Sequence, residues 1–239
     1  MRTFLTGLIV IIVLSSCQFL GGERVSGNGH VITQAKNVSP FTNVEVSGAV
    51  KVHILQNANT SVKIETDENL MQFIEVYNNG STLVIRTRQG FNLEPSREIN
   101  AYVVSPTFKD IDVSGSCDII GDAPINSDGA LSLHTSGSGD MMMQVNAPKV
   151  SAEVSGSGTI NLKGQATDFE AHVSGSGDVK CFDLNTDNTK LDLSGVSDAQ
   201  VTANKKLDVE VSGSGNVEYK GNPQISQSIS GSGGIKKVG

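Results

Sequence analysis

The chain has 239 residues, of which 37% are hydrophobic and 5% aromatic, and its 18 Lys and Arg against 25 Asp and Glu give a formal net charge of −7. Such an acidic chain is not suited to nucleic acid, because that binding depends on Lys and Arg neutralising phosphates. The length allows one domain of ordinary or elongated shape.

The first residues predict a lipoprotein signal. Arg2 precedes an apolar stretch over residues 8–14, which is too short for a membrane span of roughly 20 residues and is typical of a signal peptide. The stretch ends in Leu14-Ser15-Ser16-Cys17, which resembles the lipobox of bacterial lipoproteins. We therefore predict a signal peptide over 1–16, acylation of Cys17 and a tether over 17–24. A plain signal peptide with an incidental Cys is the alternative.

The segment after Cys17 bears on the membrane leaflet. Residues 18–22 lack the acidic cluster that resembles surface-export signals of some Gram-negative lipoproteins. We therefore predict an outer-membrane lipoprotein on the periplasmic face rather than on the cell surface.

Residues 25–106 predict an irregular N-terminal part of a single domain that continues to residue 239. Residues 25–29 indicate a first coil, and residues 44–54 alternate inward and outward. Further predicted elements are a strand at 62–66, a helical turn at 67–71 capped by Asp67, a hairpin at 73–88 and a strand at 99–104. This part would cap the edge of the repeats that follow.

From residue 107 onward, Ser-Gly-Ser-Gly or a close relative recurs at intervals of 22, 19, 19, 20, 18 and 18 residues. The first Ser of each copy is Ser114, Ser136, Ser155, Ser174, Ser194, Ser212 and Ser230. Such a period without a helical pattern indicates a β-solenoid with one coil per copy. Parallel strands of one sheet are almost always connected right-handedly. The predicted fold is therefore all-β, a right-handed parallel β-helix with coils of 18–22 residues.

Alternation within the coils assigns the repeat glycines to the interior. Across residues 150–162 every second residue is apolar or Gly, and the others are polar. We predict a corner at each Gly-Ser-Gly, where a missing Cβ lets the chain bend or opposite walls approach. The predicted turn residues are Gly115, Gly137, Gly139, Gly156, Gly158, Gly175, Gly177, Gly213 and Gly215. A phosphate-cradling loop is disfavoured, because no helix follows.

Cys117 and Cys181 are predicted to be free, buried thiols. They are three coils apart, which at about 4.8 Å per coil is roughly 14 Å. That separation exceeds the roughly 7 Å between Cα atoms that a disulfide tolerates.

The order of these motifs resembles a known family. The sequence FTNVEVSGAVKV at 41–52 is followed by VKIETDENL at 62–70, STLVI at 81–85 and then the Ser-Gly-Ser-Gly coils. Over roughly residues 25–235 the chain is similar to the putative auto-transporter adhesin head GIN domain family, which is common in lipoproteins of Bacteroides-like bacteria. The resemblance implies a right-handed parallel β-helix and supplies no catalytic residues.

Stacking in register would form a column of acids and histidines two residues before each first Ser. Its members are Asp112, His134, Glu153, His172, Asp192 and Glu210. His134, Glu153 and His172 are candidate ligands of a divalent transition metal, since imidazole and carboxylate are usual ligands. The favoured interpretation is a solvated ladder of pairs, each contributing about 0–1 kcal/mol. No metal or other cofactor is predicted.

A second column lies four residues after each first Ser and is mostly acidic. Its members are Asp118, Asp140, Thr159, Asp178, Asp198 and Asn216. Calcium turns of nonapeptide repeats contain a similar Asp, but their period is half that of this chain. We therefore expect a polar edge to the corner rather than a calcium site.

The repeated serines are expected to form hydroxyl ladders. A serine nucleophile needs a base within hydrogen-bond reach and an oxyanion site, and identical serines in every coil indicate no unique one.

Two functions remain open. The favoured one is a non-catalytic, lipid-anchored cell-envelope module for binding, adhesion or scaffolding, held to the membrane by the lipid on Cys17, with an unidentified envelope protein or polysaccharide as partner. The alternative is a polysaccharide lyase or hydrolase. No Arg follows Arg97, so the regular coils lack the guanidinium that often stabilises an anionic substrate. Trp is absent and Tyr occurs three times, so stacking platforms for sugars are scarce.

Overall fold

The computed structural model describes residues 22–238, of which 71% lie in β-strands. The strands are β1 (Glu23–Ser26), β2 (Val31–Lys36), β3 (Asn43–Gly48), β4 (Lys51–Gln56), β5 (Ser61–Asp67), β6 (Ile74–Asn79), β7 (Thr82–Thr87), β8 (Phe91–Glu94), β9 (Asn100–Ser105), β10 (Asp110–Gly115), β11 (Asp118–Gly121), β12 (Ile125–Asn126), β13 (Ala130–Gly137), β14 (Met141–Gly156), β15 (Thr159–Gly175), β16 (Asp178–Gly195), β17 (Asp198–Gly213), β18 (Asn216–Lys220), β19 (Gln224–Gly231) and β20 (Gly234–Lys237). A 3-10 helix covers Met71–Phe73.

The predicted signal peptide, Cys17 and the first part of the tether lie outside the described residues. Across residues 22–238, no helix has both the length and the apolar character needed to cross a membrane.

The strands stack into a β-solenoid of about seven turns, which confirms the predicted parallel β-helix. Parallel ladders align the first Ser of every copy, from Ser114 opposite Ser136 to Ser212 opposite Ser230. Strands β14 to β17 are 16 to 18 residues long and each follows most of a coil. Coils of unequal length are accommodated by register shifts in β16, which leave the serines aligned.

The core confirms the predicted inward alternation. Val150, Val154 and Ile160 are fully buried, whereas Glu153 and Ser155 between them are exposed. Burial of such an aliphatic side chain contributes about 1.5–3 kcal/mol relative to exposure, so the stacked Val, Ile and Leu rows are the main source of stability.

The two glycines of each corner have different roles. The first, as in Gly156, has a positive φ of 132° and is only partly buried, so the prediction that both glycines face the interior is wrong for this one. A Cβ there would overlap the carbonyl oxygen of Gly137 in the preceding coil. The second, as in Gly158, is buried, and a Cβ would overlap the carbonyl oxygen of Gly139. The corner therefore requires glycine for conformation at one position and for space at the other.

The predicted turn residues divide between these two positions. Gly115, Gly137, Gly156, Gly175 and Gly213 are first glycines, with φ between 91° and 138°. Gly139, Gly158, Gly177 and Gly215 are buried second glycines. At the latter position the coil that begins at Gly195 has Ser197, which is 3% exposed.

The N-terminal part extends the parallel stack and then continues it with antiparallel strands. β3 and β4 pair in parallel with β10 and β11, and β7 and β9 pair with β3 and β4 in turn. The predicted hairpin is confirmed as the antiparallel pair β6 and β7. Antiparallel β5 and β2 continue from β9. The stack of parallel strands therefore ends at this side in antiparallel strands of the irregular part, β2, β5 and β6.

Two predictions for this part were wrong. Residues 25–29 do not form a coil of the stack, because β1 pairs with β8 in a separate two-stranded sheet. Asp67 does not cap the helical turn with its side chain; the N-cap is Leu70, which forms no side-chain capping bond. The Asp67 carboxylate is occupied elsewhere, since it accepts hydrogen bonds from the backbone N–H groups of Gly29 and Ser96 and from the Ser96 hydroxyl.

Cys117 and Cys181 are buried, free thiols, as predicted. Burial raises the pKa of the Cys181 thiol to about 12 and also raises that of Cys117. Both sulfurs therefore remain protonated near neutral pH.

Candidate functional site

The acid and histidine column forms in the predicted register on the outside of the solenoid. His134 lies opposite Glu153, which lies opposite His172 in the next coil. Nδ1 of His134 is 3.2 Å from Oε2 of Glu153, and Nε2 is 3.7 Å from Oδ1 of Asp110. His172 pairs in the other direction, with its Nδ1 3.2 Å from Oδ2 of Asp192. The column is thus a series of separate pairs.

These pairs do not assemble the three metal candidates. His134, Glu153 and His172 occupy adjacent coils, but within residues 22–238 no three His, Cys, Asp or Glu side chains come together as a group able to hold a metal ion. The reason is that His172 points to Asp192 and away from the His134–Glu153 pair. The side chains are 37–53% exposed, so water screens each pair and a solvated ladder describes the column.

Partial desolvation raises the pKa of Asp112 at the start of this column. A positive charge on His134 opposes this rise in pKa, whereas the negative charges of Asp110 and Glu153 add to it. The acids of this face therefore repel one another, and the two histidines separate them.

The second column ties successive corners together. Oδ1 of Asp118 accepts a hydrogen bond from the backbone N–H of Asp140 in the next coil, and Oδ1 of Asp140 accepts one from Thr159, at 3.1 and 2.8 Å. Asp178 and Asp198 repeat this contact at 3.2 and 3.1 Å. Each carboxylate satisfies an N–H group just after the corner, which accounts for the acidic residue without a calcium ion.

The serine columns offer no activated nucleophile. Oγ of Ser114 donates to the carbonyl of Val46 at 3.4 Å. Within the described residues, no serine of the two corner positions hydrogen-bonds to a histidine or a carboxylate. A general base is therefore missing, and the hydroxyls line the outside of the corner.

A third outward feature, which sequence analysis did not predict, is a polar groove of about 420 Å³ that crosses several coils. We call it the amide groove, and its lining includes Asn146, Gln165, Asn185 and Asn204. Ladder pairing places Asn146 opposite Gln165 and Gln165 opposite Asn185. From Asn126 onward these amides follow at intervals of 20, 19, 20 and 19 residues, which is the coil period. That spacing is the sequence signal from which the groove could have been found.

Most amides of the groove pair with one another. Nδ2 of Asn146 donates to Oδ1 of Asn126 at 2.9 Å, and Nδ2 of Asn204 donates to Oδ1 of Asn185 at 2.8 Å. Gln165 lies between these two pairs, is exposed, and forms no side-chain hydrogen bond within residues 22–238. Its amide offers a free donor and a free acceptor at the middle of the groove.

Comparison with known proteins identifies one family and several solved structures that share the fold of this chain. The model of the family described as "Putative auto-transporter adhesin, head GIN domain" matches residues 40–223. No curated protein matches the chain.

Among solved structures, a putative adhesin from Bacteroides fragilis is 24% identical with a TM-score of 0.86, and covers 90% of this chain and 100% of its own. A putative lipid binding protein from Parabacteroides distasonis is 26% identical with a TM-score of 0.77, and the match covers 91% of this chain and 100% of that protein. A putative adhesin from the same species is 23% identical with a TM-score of 0.70, and the match covers 90% of this chain and 100% of that protein. The two adhesins, both under 25% identical, share the fold with this chain.

Proposed function

Because the chain belongs to the family of the putative auto-transporter adhesin head GIN domain, we propose that it is a non-catalytic, lipid-anchored binding module of the cell envelope. The family and the solved relatives carry names of adhesins and binding proteins, which supports binding as its role and the envelope as its location. The ligand is an envelope protein or a polysaccharide.

The observation that carries this proposal is the repetition of the outer surface. An enzyme site needs one place where a nucleophile, a base and a charge-stabilising group converge. Here the aspartates bind the next coil, the serines lack a base, and His134 and His172 pair with separate carboxylates. A surface that presents the same groups in every coil is suited to an extended ligand. The alternative, a polysaccharide lyase or hydrolase, gains no support from the described residues.

The lipid anchor rests on Cys17 and the residues before it. Two or three acyl chains would hold the protein stably, whereas a single chain gives only marginal membrane binding. The absence of acidic residues at 18–22 supports the periplasmic face of the outer membrane over the cell surface.

Cell fractionation tests the anchor. We expect the wild type in the outer-membrane fraction and Cys17→Ala in the periplasmic fraction, with Ser15→Ala as a matched control that keeps the cysteine and the small residue. Protease added to intact cells would digest the wild type only if the domain faced outward. A Cys17→Ala protein that remains in the membrane would refute acylation as the means of attachment.

An assay of polysaccharide degradation distinguishes a binding module from a polysaccharide-processing enzyme. Purified protein is incubated with neutral and acidic polysaccharides, and new reducing ends and unsaturated products are measured. We expect neither product to form. Release of either at a rate that depends on the protein would replace the proposed function by the polysaccharide-processing alternative.

A further inference from the structure

The amide groove is electrically neutral along its length. Its lining contains one acid, Asp187, whose Oδ2 accepts a hydrogen bond from Nζ of Lys205 at 2.8 Å. The remaining polar groups are amides and hydroxyls, including Thr167 and Ser127. A charged ligand would therefore find no unpaired opposite charge there, in contrast to the acidic net character of the whole chain.

The groove combines polar walls with small apolar groups. Ala147, Pro148 and Ala166 also line the groove; Ala166 is a buried core residue, whereas Ala147 is partly exposed and Pro148 is exposed to a ligand. No aromatic side chain and no Arg lines it. Protein interfaces obtain most of their binding energy from Trp, Tyr and Arg anchors, so this groove has little to offer a protein partner.

The amides repeat at the spacing of the strands. Neighbouring strands lie about 4.8 Å apart, so Asn146, Gln165 and Asn185 present amide groups at about that interval. Each amide carries both a donor and an acceptor, as does each hydroxyl of a sugar. A molecule that repeats hydroxyl groups along its length therefore meets a matching row of partners.

We propose that the amide groove binds an uncharged polysaccharide that lies across the coils, with Gln165 as its central contact. This inference rests on the proposed function and names the ligand class and the site. The free donor and acceptor of Gln165 bond to sugar hydroxyls, and the flanking amide pairs extend the row. The C–H faces of the sugar rest on Ala147 and Pro148.

Because no aromatic side chain stacks on the sugar, the affinity of the groove for a polysaccharide depends on hydrogen bonds. Hydrogen bonds exchanged with water contribute only about 0.5–1.5 kcal/mol each, so one sugar binds weakly. A chain that engages several coils gains affinity because each further contact is intramolecular. Long polysaccharides are therefore expected to bind much more tightly than their oligosaccharides.

Affinity electrophoresis of the full chain tests the groove. Native gels contain dextran, laminarin or mannan as uncharged probes, or alginate as an anionic probe, and retardation gives the apparent Kd. Gln165→Glu and Asn185→Asp place a charge in the groove with almost no change of shape. The matched control is Gln144→Glu, because Gln144 is an exposed amide outside the groove lining.

We expect at least one uncharged polysaccharide to retard the wild type and Gln144→Glu equally. Gln165→Glu and Asn185→Asp should weaken that binding at least about tenfold, with unchanged unfolding midpoints. Equal retardation of all variants would overturn the groove as the site, and retardation by alginate alone would overturn the uncharged ligand. If no polysaccharide retards the wild type, this inference fails, whereas the fractionation and turnover tests of the proposed function are unaffected.

Discussion

Glu153 contacts His134 in the preceding coil through a distance of 3.2 Å between Oε2 and Nδ1. It makes no ion pair with His172, its register partner on the other side, which binds Asp192 instead. Glu153 therefore has a ladder neighbour on each side, but it forms an ion pair with only one of them. A double-mutant cycle can measure this difference.

We predict that the His134→Ala and Glu153→Gln cycle gives a coupling energy of about 0.2–1 kcal/mol at pH 6, as expected for an exposed pair. The His172→Ala and Glu153→Gln cycle should give a value near zero. Urea unfolding of the single and double variants supplies both values. Equal coupling in the two cycles would mean that Glu153 interacts with both imidazoles. If added zinc raised the unfolding midpoint of the wild type more than that of His134→Ala, the column would bind a metal ion after all.

Gly156→Val should destabilise the fold by about 3 kcal/mol or more. The residue has a φ of 132°, which costs a side chain roughly 1–3 kcal/mol, and a Cβ would overlap the carbonyl oxygen of Gly137. The control is Ser155→Val next to it, which is exposed and should change stability by about 0.5 kcal/mol or less. The free energy of unfolding is measured in urea. Similar losses in the two variants would contradict the assigned conformation of the corner.

Ser197→Ala should increase stability by about 1 kcal/mol. The Ser197 side chain occupies the space of the second corner glycine, and its buried hydroxyl has no hydrogen-bond partner within the described residues. An unsatisfied buried polar group costs about 1–3 kcal/mol, and alanine removes it while it keeps the Cβ. The exposed Ser176→Ala is the control for the loss of a hydroxyl. A clear decrease in the unfolding midpoint of Ser197→Ala would show that the hydroxyl has a partner.

Asp67 should make the N-terminal part sensitive to acid. Burial alone would raise its pKa, but hydrogen bonds from the Ser96 hydroxyl, the Ser96 N–H and the Gly29 N–H outweigh burial and lower it. Because the folded pKa lies below the unfolded value near 3.9, this stability is present above about pH 4 and is lost as the pH falls through the folded pKa.

Unfolding midpoints between about pH 7 and pH 2 test this prediction. Asp67→Asn should have a lower midpoint at pH 7 and a smaller fall in acid than the wild type. The exposed Asp128→Asn should follow the wild type throughout. An acid dependence that Asp67→Asn leaves unchanged would contradict the assigned role of this carboxylate.

Cys181 should resist alkylation in the folded protein. With a pKa of about 12, about one in ten thousand of its thiols is ionised at pH 8, and burial also blocks access. Iodoacetamide labelling followed by peptide mass spectrometry should detect no modified Cys181 until urea unfolds the chain. Rapid labelling of Cys181 under native conditions would show that the coil around it opens readily.

The sequence alone determined the solenoid and its register. A period near 19 residues, alternation within each period and the recurring Ser-Gly pair leave one way to bury every apolar row, so Ser114, Ser136 and Ser155 had to align. A slip by one residue would turn the whole apolar row outward. The free state of Cys117 and Cys181 follows from the same alignment.

Only the tertiary structure decided which aligned residues are bonded. The register places His134, Glu153 and His172 in successive coils. Exposed side chains, however, have several possible partners of similar energy, and His172 pairs with Asp192. Asp67 does not cap the helical turn because its carboxylate accepts three hydrogen bonds from Ser96 and Gly29, which are distant in sequence. The spacing of Asn146, Gln165 and Asn185 predicts that they align, but only the folded chain shows which amides of the groove are hydrogen-bonded to one another. Apolar burial repeats along the chain and can be predicted from its period, whereas the pairing of polar groups depends on contacts between segments that only the folded chain brings together.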